Sequence, residues 1–180
     1  MRMRPAVVLA VVLTACAVAA AKGPAARRTT LPVVNGGFEQ AADAATVPGW
    51  IIAQHAGVQA YEMRIDPATA AEGKASFRVR RLGNQVYGSV TQVVAAPVSA
   101  GKTLELSARI KTADVGPGGW MLFIDGAGQR ESKNAVGTGD WHLVKVRLKL
   151  PAAVRDVTIG ALLLDRGTAW LDDVRLQVVD

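Results

Sequence analysis

From Lys74 to Val178 the chain alternates apolar and polar residues in short runs, the two-residue period of strands with one buried and one wet face. In KASFRVR, Phe77 and Val79 face one side, Arg78 and Arg80 the other. In LELSARIK, Leu104, Leu106, Ala108 and Ile110 alternate with Glu105, Ser107, Arg109 and Lys111. Val144, Val146 and Leu148 alternate with Lys145, Arg147 and Lys149, and further strands are predicted over 86–94, 120–124, 154–164 and 168–178. Turn signals separate them at Gly83-Asn84, Ser99-Ala100-Gly101, Gly116-Pro117-Gly118-Gly119, Gly137-Thr138-Gly139-Asp140 and Asp165-Arg166-Gly167. Helical periodicity is weak, and only the run from Gln40 to Thr46 suits one turn. About eight to ten short strands, each with one polar face, predict an all-β antiparallel sandwich, with an up-and-down barrel as the alternative.

The last of these runs, AWLDDVRLQVVD, holds two acids in its middle. Strict alternation puts Trp170, Asp172, Val174, Leu176 and Val178 on one face, the more apolar and hence the core face. Asp172 is then expected to point inward and Asp173 outward. A buried carboxylate needs a partner. Loop N–H groups, an arginine or a hard cation held by oxygen ligands would each serve, and the pattern alone leaves the choice open.

The first residues have another character. Arg2 and Arg4 precede an apolar run, AVVLAVVLTA, too short to span a bilayer, as in a signal peptide. Leu13-Thr14-Ala15-Cys16 then resembles the lipobox of bacterial lipoproteins, which makes Cys16 the lipidated residue. Cleavage within Ala17 to Ala21 is the alternative, and either way export is expected. Cys16 is the only cysteine, so the chain forms no internal disulfide. Residues 1–21 are thus read as leader and start of a tether, 22–32 (KGPAARRTTLP) as flexible tether, and 33–180 as one domain. The formal charge is +6, part of it on the leader. The bases lie scattered along the strands and are read as solvated faces, not as a nucleic-acid surface.

The domain's opening, Val34-Asn35-Gly36-Gly37-Phe38-Glu39 followed by Pro48-Gly49-Trp50, resembles that of jelly-roll carbohydrate-binding modules of families four, nine and twenty-two, with galactose-binding-like architecture. Ala71 to Ala75, Val90-Thr91-Gln92, Gly101 to Ser107, Gly139-Asp140-Trp141 and Trp170 to Val174 are similar to further stretches of these modules, in the same order. The resemblance implies a jelly roll that binds glycan without chemistry. It also implies a structural Ca²⁺ held by the carboxylates of Glu39, Glu72 and Asp172 and the carbonyls of Gly37 and Lys74. Oxygen ligands without His or Cys suit that ion.

For the glycan, the resemblance points to Tyr87 at a cleft position, Gln92 and Arg109 on strands crossing the concave sheet, and Trp120 after the glycine-rich turn. Trp50, Trp141 and Trp170 are expected to be structural, and His55 and His142 ordinary loop histidines. A membrane partner is expected only through a lipid on Cys16. The alternative function is an envelope-associated structural or protein-interaction lipoprotein that keeps the fold without the sugar cleft. Catalysis is not expected: no nucleophile–base pairing, phosphate loop or carboxylate pair can be named.

Overall fold

The computed structural model describes residues 28–40 and 46–179. The leader, Cys16, most of the tether and residues 41–45 of the suggested helical turn lie outside the described residues. The strands are β1 (Arg28–Leu31), β2 (Ile51–Gln54), β3 (Tyr61–Asp66), β4 (Ser76–Arg81), β5 (Gly88–Val98), β6 (Thr103–Gly126), β7 (Gln129–Lys149), β8 (Val154–Leu163) and β9 (Thr168–Val179). All pair antiparallel, and no helix occurs among the described residues. The expected all-β sandwich is the observed architecture. β1 differs from expectation: Arg28–Leu31 is not tether but pairs with the end of β9, Arg28 opposite Val179 and Leu31 opposite Leu176.

β6 and β7 serve both layers. Thr103 to Ala113 of β6 pairs with β9, whereas Trp120 to Asp125 pairs with β8. One layer therefore runs β3-β4-β9-β6-β7 with β1 on the end of β9, and the other β2-β5-β8-β6-β7. The register with β7 slips between Ile110 and Trp120, where the glycine-rich stretch turns the corner. Gly119 has φ +86°, a conformation that a side chain at that position would strain. Between the layers lies one core, in which Phe77, Val79, Val90, Leu104, Leu106, Ile110, Leu122, Ile159 and Leu171 are fully buried. Each contributes about 1.5–3 kcal/mol of burial.

The last strand departs from strict alternation. Ser107 is opposite Arg175 but Arg109 is opposite Asp172, so β9 carries one extra residue, and Asp173 takes φ +48°. The bulge flips the parity. Ala169 and Leu171 before it, and Val174 and Leu176 after it, face the core. Trp170, Asp172, Arg175 and Gln177 share the outer face, so Asp172 does not point into the core as alternation implied. It is nonetheless fully buried, because residues 69–75 fold over it. Trp170 is likewise an outer-face residue, half-buried between Lys111 on β6 and Arg78 on β4.

Register also gathers the bases that look scattered along the chain. Arg64 on β3, Arg78 and Arg80 on β4, Arg109 and Lys111 on β6, Lys145, Arg147 and Lys149 on β7, Arg175 on β9 and Arg28 on β1 all stand on the outer face of the β9 layer. The acids among these strand positions are Glu62, Asp66, Glu105 and Asp172, with Asp140 pairing Lys111 and Asp173 pairing Arg175, so the ten bases still outnumber these six acids. Among the described residues, the strand positions on the outer face of the β5 layer carry Arg130 against Asp125 and Asp156.

Glu105 shows how this charge is tied down. Its side chain is 2% exposed and accepts from Arg28 at 2.9 Å, Lys145 at 2.9 Å and Arg147 at 2.7 Å. Burial pushes its carboxyl up, but the three cationic donors together outweigh this and hold it at about 2, against an ordinary 4.5. A carboxyl depressed on folding stabilises the fold above its unfolded value, and that stability fades as pH falls from about 4.5 toward 2. With its cations partly exposed, the share is about 2 kcal/mol. Glu105→Gln is therefore expected to lower stability by about that amount at pH 7. The gap to the parent should narrow between pH 5 and 2, as followed by thermal or urea denaturation; a gap independent of pH would overturn the assignment.

Candidate functional site

The four residues expected at a glycan cleft are separated by the fold. Trp120 faces the core and is 0% exposed, its indole Nε1 buried without a hydrogen-bond partner, so no sugar ring can reach it. Gln92 also faces inward. Its Oε1 accepts from Val34 N at 2.8 Å, and its Nε2 donates to the carbonyls of Val34 at 2.9 Å and Gly49 at 2.8 Å. It pins two points of the opening loop, which is a structural task. Arg109 stands on the outer face of the β9 layer, on the far side of the sandwich from Tyr87. Only Tyr87 lines a groove on the outer face of the β5 layer.

That groove encloses about 420 Å³ and is lined by Tyr87, Ser89, Thr91, Phe123, Asp125, Arg130, Thr158 and Leu162. Alternation builds it: Ser89 and Thr91 point away from Val90 and Gln92, and Thr158 and Leu162 away from Val157, Ile159 and Leu163. Gly160 lies between them, where a Cβ would come within 2.4 Å of the Val90 carbonyl oxygen, so the floor stays low. Phe123 and Asp125 turn outward because Leu122 and Ile124 turn in. A two-residue turn at Ala127 and Gly128, with φ +51° and +74°, sets Arg130 opposite Asp125.

Arg130 donates to Asp125 through Nε and Nη2, both at 2.6 Å, and its guanidinium lies 4.4 Å from the centre of the Phe123 ring. The bonds it donates to Asp125 push the guanidinium up, against the effect of burial. Phe123 is thereby covered and 2% exposed. At the groove's end His55 meets Tyr87 edge-on, ring centres 5.9 Å apart. The groove thus offers one partly exposed aromatic ring, the hydroxyls of Tyr87, Thr91 and Thr158 and a planar ion pair, while the buried Ser89 hydroxyl donates to the Ala53 carbonyl at 3.1 Å. These groups can donate to and accept from a ligand's hydroxyls, and stack on one ring.

The five residues expected at a cation site do come together, at one edge of the β9 layer. Gly37, Glu39, Glu72 and Asp172 line a cavity of about 170 Å³ with Gly73, Asp173 and Arg175. Lys74 adjoins it, its N–H donating to Glu39 Oε1 at 2.8 Å. Asp172 Oδ2 accepts from Ala71 N at 2.8 Å and Glu72 N at 3.0 Å, and Oδ1 from Asp173 N at 2.7 Å. Burial nevertheless pushes its carboxyl up, with the Asp173 charge adding to the rise. No lysine or arginine among the described residues pairs with it. Arg175 instead pairs with Asp173 at 2.7 Å and, at 3.6 Å, with Glu72. As arranged, no group of three or more His, Cys, Asp or Glu side chains among the described residues converges on one point.

Comparison with known families finds no match to the sequence, and comparison with curated proteins finds none either. Solved structures do match. The enzymatically active domain of bacteriophage CBA120 tailspike protein 4 superposes with TM-score 0.65 at 13% identity, over 82% of this chain. This chain spans only 21% of the tailspike chain. The CBM22-1 xylan-binding domain of Paenibacillus barcinonensis Xyn10C superposes with TM-score 0.54 at 14% identity, covering 88% of this chain and 99% of that one. A family 4 carbohydrate-binding module gives TM-score 0.55 at 20% identity over 82% and 99%. The fold is the jelly roll of carbohydrate-binding modules, as the sequence motifs led one to expect.

Proposed function

We propose that the chain is a non-catalytic glycan-binding module whose ligand lies along the groove on the outer face of the β5 layer. The observation that carries this reading is the groove itself: Tyr87 at one end, the hydroxyls of Thr91 and Thr158 along it, and the Asp125–Arg130 pair at the other side. Neutral glycans, xylan-like or galactan-like, fit such polar walls. The two-carboxylate arrangement of glycoside hydrolysis is not supported, because Asp125 is engaged by Arg130. In affinity gels, the parent chain is expected to be slowed by at least one neutral glycan. Tyr87→Ala should weaken that binding about tenfold, and Trp120→Phe should leave it unchanged. Absence of retardation across a panel of neutral glycans would sink the reading.

A second reading keeps the fold and replaces the sugar with a protein partner. What favours it is Ile51 and Val93, 61% and 60% exposed on the same outer face, together with the covering of Phe123 by Arg130.

A structural Ca²⁺ forms part of the proposal. The carboxylates of Asp172, Glu39 and Glu72 and the carbonyls of Gly37 and Lys74 would hold it. Support comes from the hard-oxygen donor set around one small cavity, from the buried and cation-free Asp172, and from Gly37, whose missing Cβ would lie 4.0 Å from Asp172 Oδ1. A bound ion would supply the positive charge Asp172 lacks and join loops far apart in sequence. EDTA is expected to lower the melting temperature and Ca²⁺ to restore it, with Asp172→Asn insensitive to both; a parent curve indifferent to EDTA would count against the ion.

The same proposal places the protein outside the cytoplasm, held to a membrane through lipidated Cys16. Cys16→Ala is expected to move it from the membrane to the soluble fraction on cell fractionation; unchanged partitioning would reject the anchor.

A further inference from the structure

We propose that the outer face of the β9 layer is a second binding surface, for an acidic polysaccharide, centred on Trp170. It is a different face from the groove and does not depend on the groove's function. Lys111, Trp170, Arg78 and Arg64 stand directly opposite one another across β6, β9, β4 and β3. Neighbouring strands lie about 4.8 Å apart, so the row is about 14 Å long, near the length of three pyranose rings.

Trp170 is half-buried in this row, and its indole Nε1 donates to Asp66 Oδ2 at 2.9 Å, which fixes the ring in one position. Four bases around it, Arg64, Arg78, Arg80 and Lys111, face three acids, Glu62, Asp66 and Asp140. Arg64, Arg78 and Arg80 share the carboxylate of Glu62, at 2.9, 2.8 and 3.4 Å, Asp66 also feels the charge of Arg78 and Arg64, and Lys111 pairs with Asp140 at 2.9 Å. Burial pushes the Glu62 carboxyl up, but the three arginines outweigh burial and lower it, so it stays an anion. Farther along the same face Glu105 neutralises one of its three bases.

An aromatic ring among cations spaced at strand pitch matches a chain of sugars that bear carboxylates. The ring can take a pyranose face and the guanidiniums the carboxylates. A neutral glycan would leave the cations unused. A bilayer would be drawn by the charge alone, whereas a single-stranded nucleic acid would also stack a base on the ring, so it is the competitor the test must separate.

The test is affinity electrophoresis of the intact chain in polygalacturonate gels, at about 50 mM salt and upward. Retardation is expected, fading as salt rises. Arg64→Gln with Lys111→Gln, two partly exposed positions, should weaken it about tenfold or more, and Trp170→Ala should weaken it while its circular dichroism and cooperative melting report that the fold persists. Tyr87→Ala should leave polygalacturonate binding intact, so failure of the groove reading is seen separately. No retardation at low salt, or retardation unchanged in the double variant, overturns the proposal. So does equal competition by single-stranded DNA or anionic phospholipid vesicles at matched charge, which would reveal a surface that reads charge and not sugar.

Discussion

The long β6–β7 hairpin is the constraint on which the other features depend. Because its two halves pair with different partners, one continuous run of alternation must serve two layers facing opposite ways. The corner around Gly119 absorbs the change. Before it, Leu104, Leu106 and Ile110 look into the core; after it, Trp120, Leu122 and Ile124 do so from the other side. The residues between them, Glu105 and Arg109 on one side and Phe123 and Asp125 on the other, are carried to opposite outer surfaces. Two surfaces of unlike chemistry thus arise from one strand: a basic sheet face, and a nearly uncharged groove.

Two buried carboxylates on the β9 layer show different answers to the same electrostatic problem. Glu105 is surrounded by three flexible cations, and its charge is stabilised through attraction. Asp172 receives only N–H dipoles, from Ala71, Glu72 and Asp173, and burial prevails over them. The first arrangement leaves surplus positive charge at the surface. The second leaves surplus negative charge beneath a loop. The interior between the layers holds no such charge, because both carboxylates belong to the outer face.

Much of this fold was legible, since strands half in water write their period plainly. KASFRVR and LELSARIK sit in the structure with the faces their alternation predicts. What alternation cannot announce is an extra residue. The bulge at Asp173 leaves the composition of β9 unchanged but moves Trp170 and Asp172 from the expected core face to the outer one. Register is equally silent in one dimension: Arg64, Arg78 and Lys111 are far apart along the chain and become a row only through strand pairing. The groove was half legible. Once Trp120, Leu122 and Ile124 are taken as core, Phe123 and Asp125 must face out, and DGAGQR is short enough to fold Arg130 back onto Asp125. Gln92 was misleading because a polar residue among valines looks like a binding residue, whereas here it completes the hydrogen bonds of a buried loop.

The acceptor count at Asp172 limits what can join it there. A carboxylate has about four lone-pair sites. Ala71 and Glu72 occupy those of Oδ2, and Asp173 takes one on Oδ1. What remains is a single site on Oδ1, the oxygen nearest the space that Gly37 leaves open. Loop N–H groups therefore satisfy most of the carboxylate's hydrogen-bonding capacity without offsetting its charge. Dipoles replace the hydration that burial removes, but they bring no net positive charge, and the direction of the shift at Asp172 shows that this is insufficient. An extra methyl at Gly37 would narrow that opening, whereas loss of the Asp172 carboxylate would free the N–H groups of residues 71 and 72 and loosen the cover itself. The same carboxylate therefore holds the loop in place and keeps one oxygen facing the cavity, so the two roles cannot be separated by changing Asp172 alone.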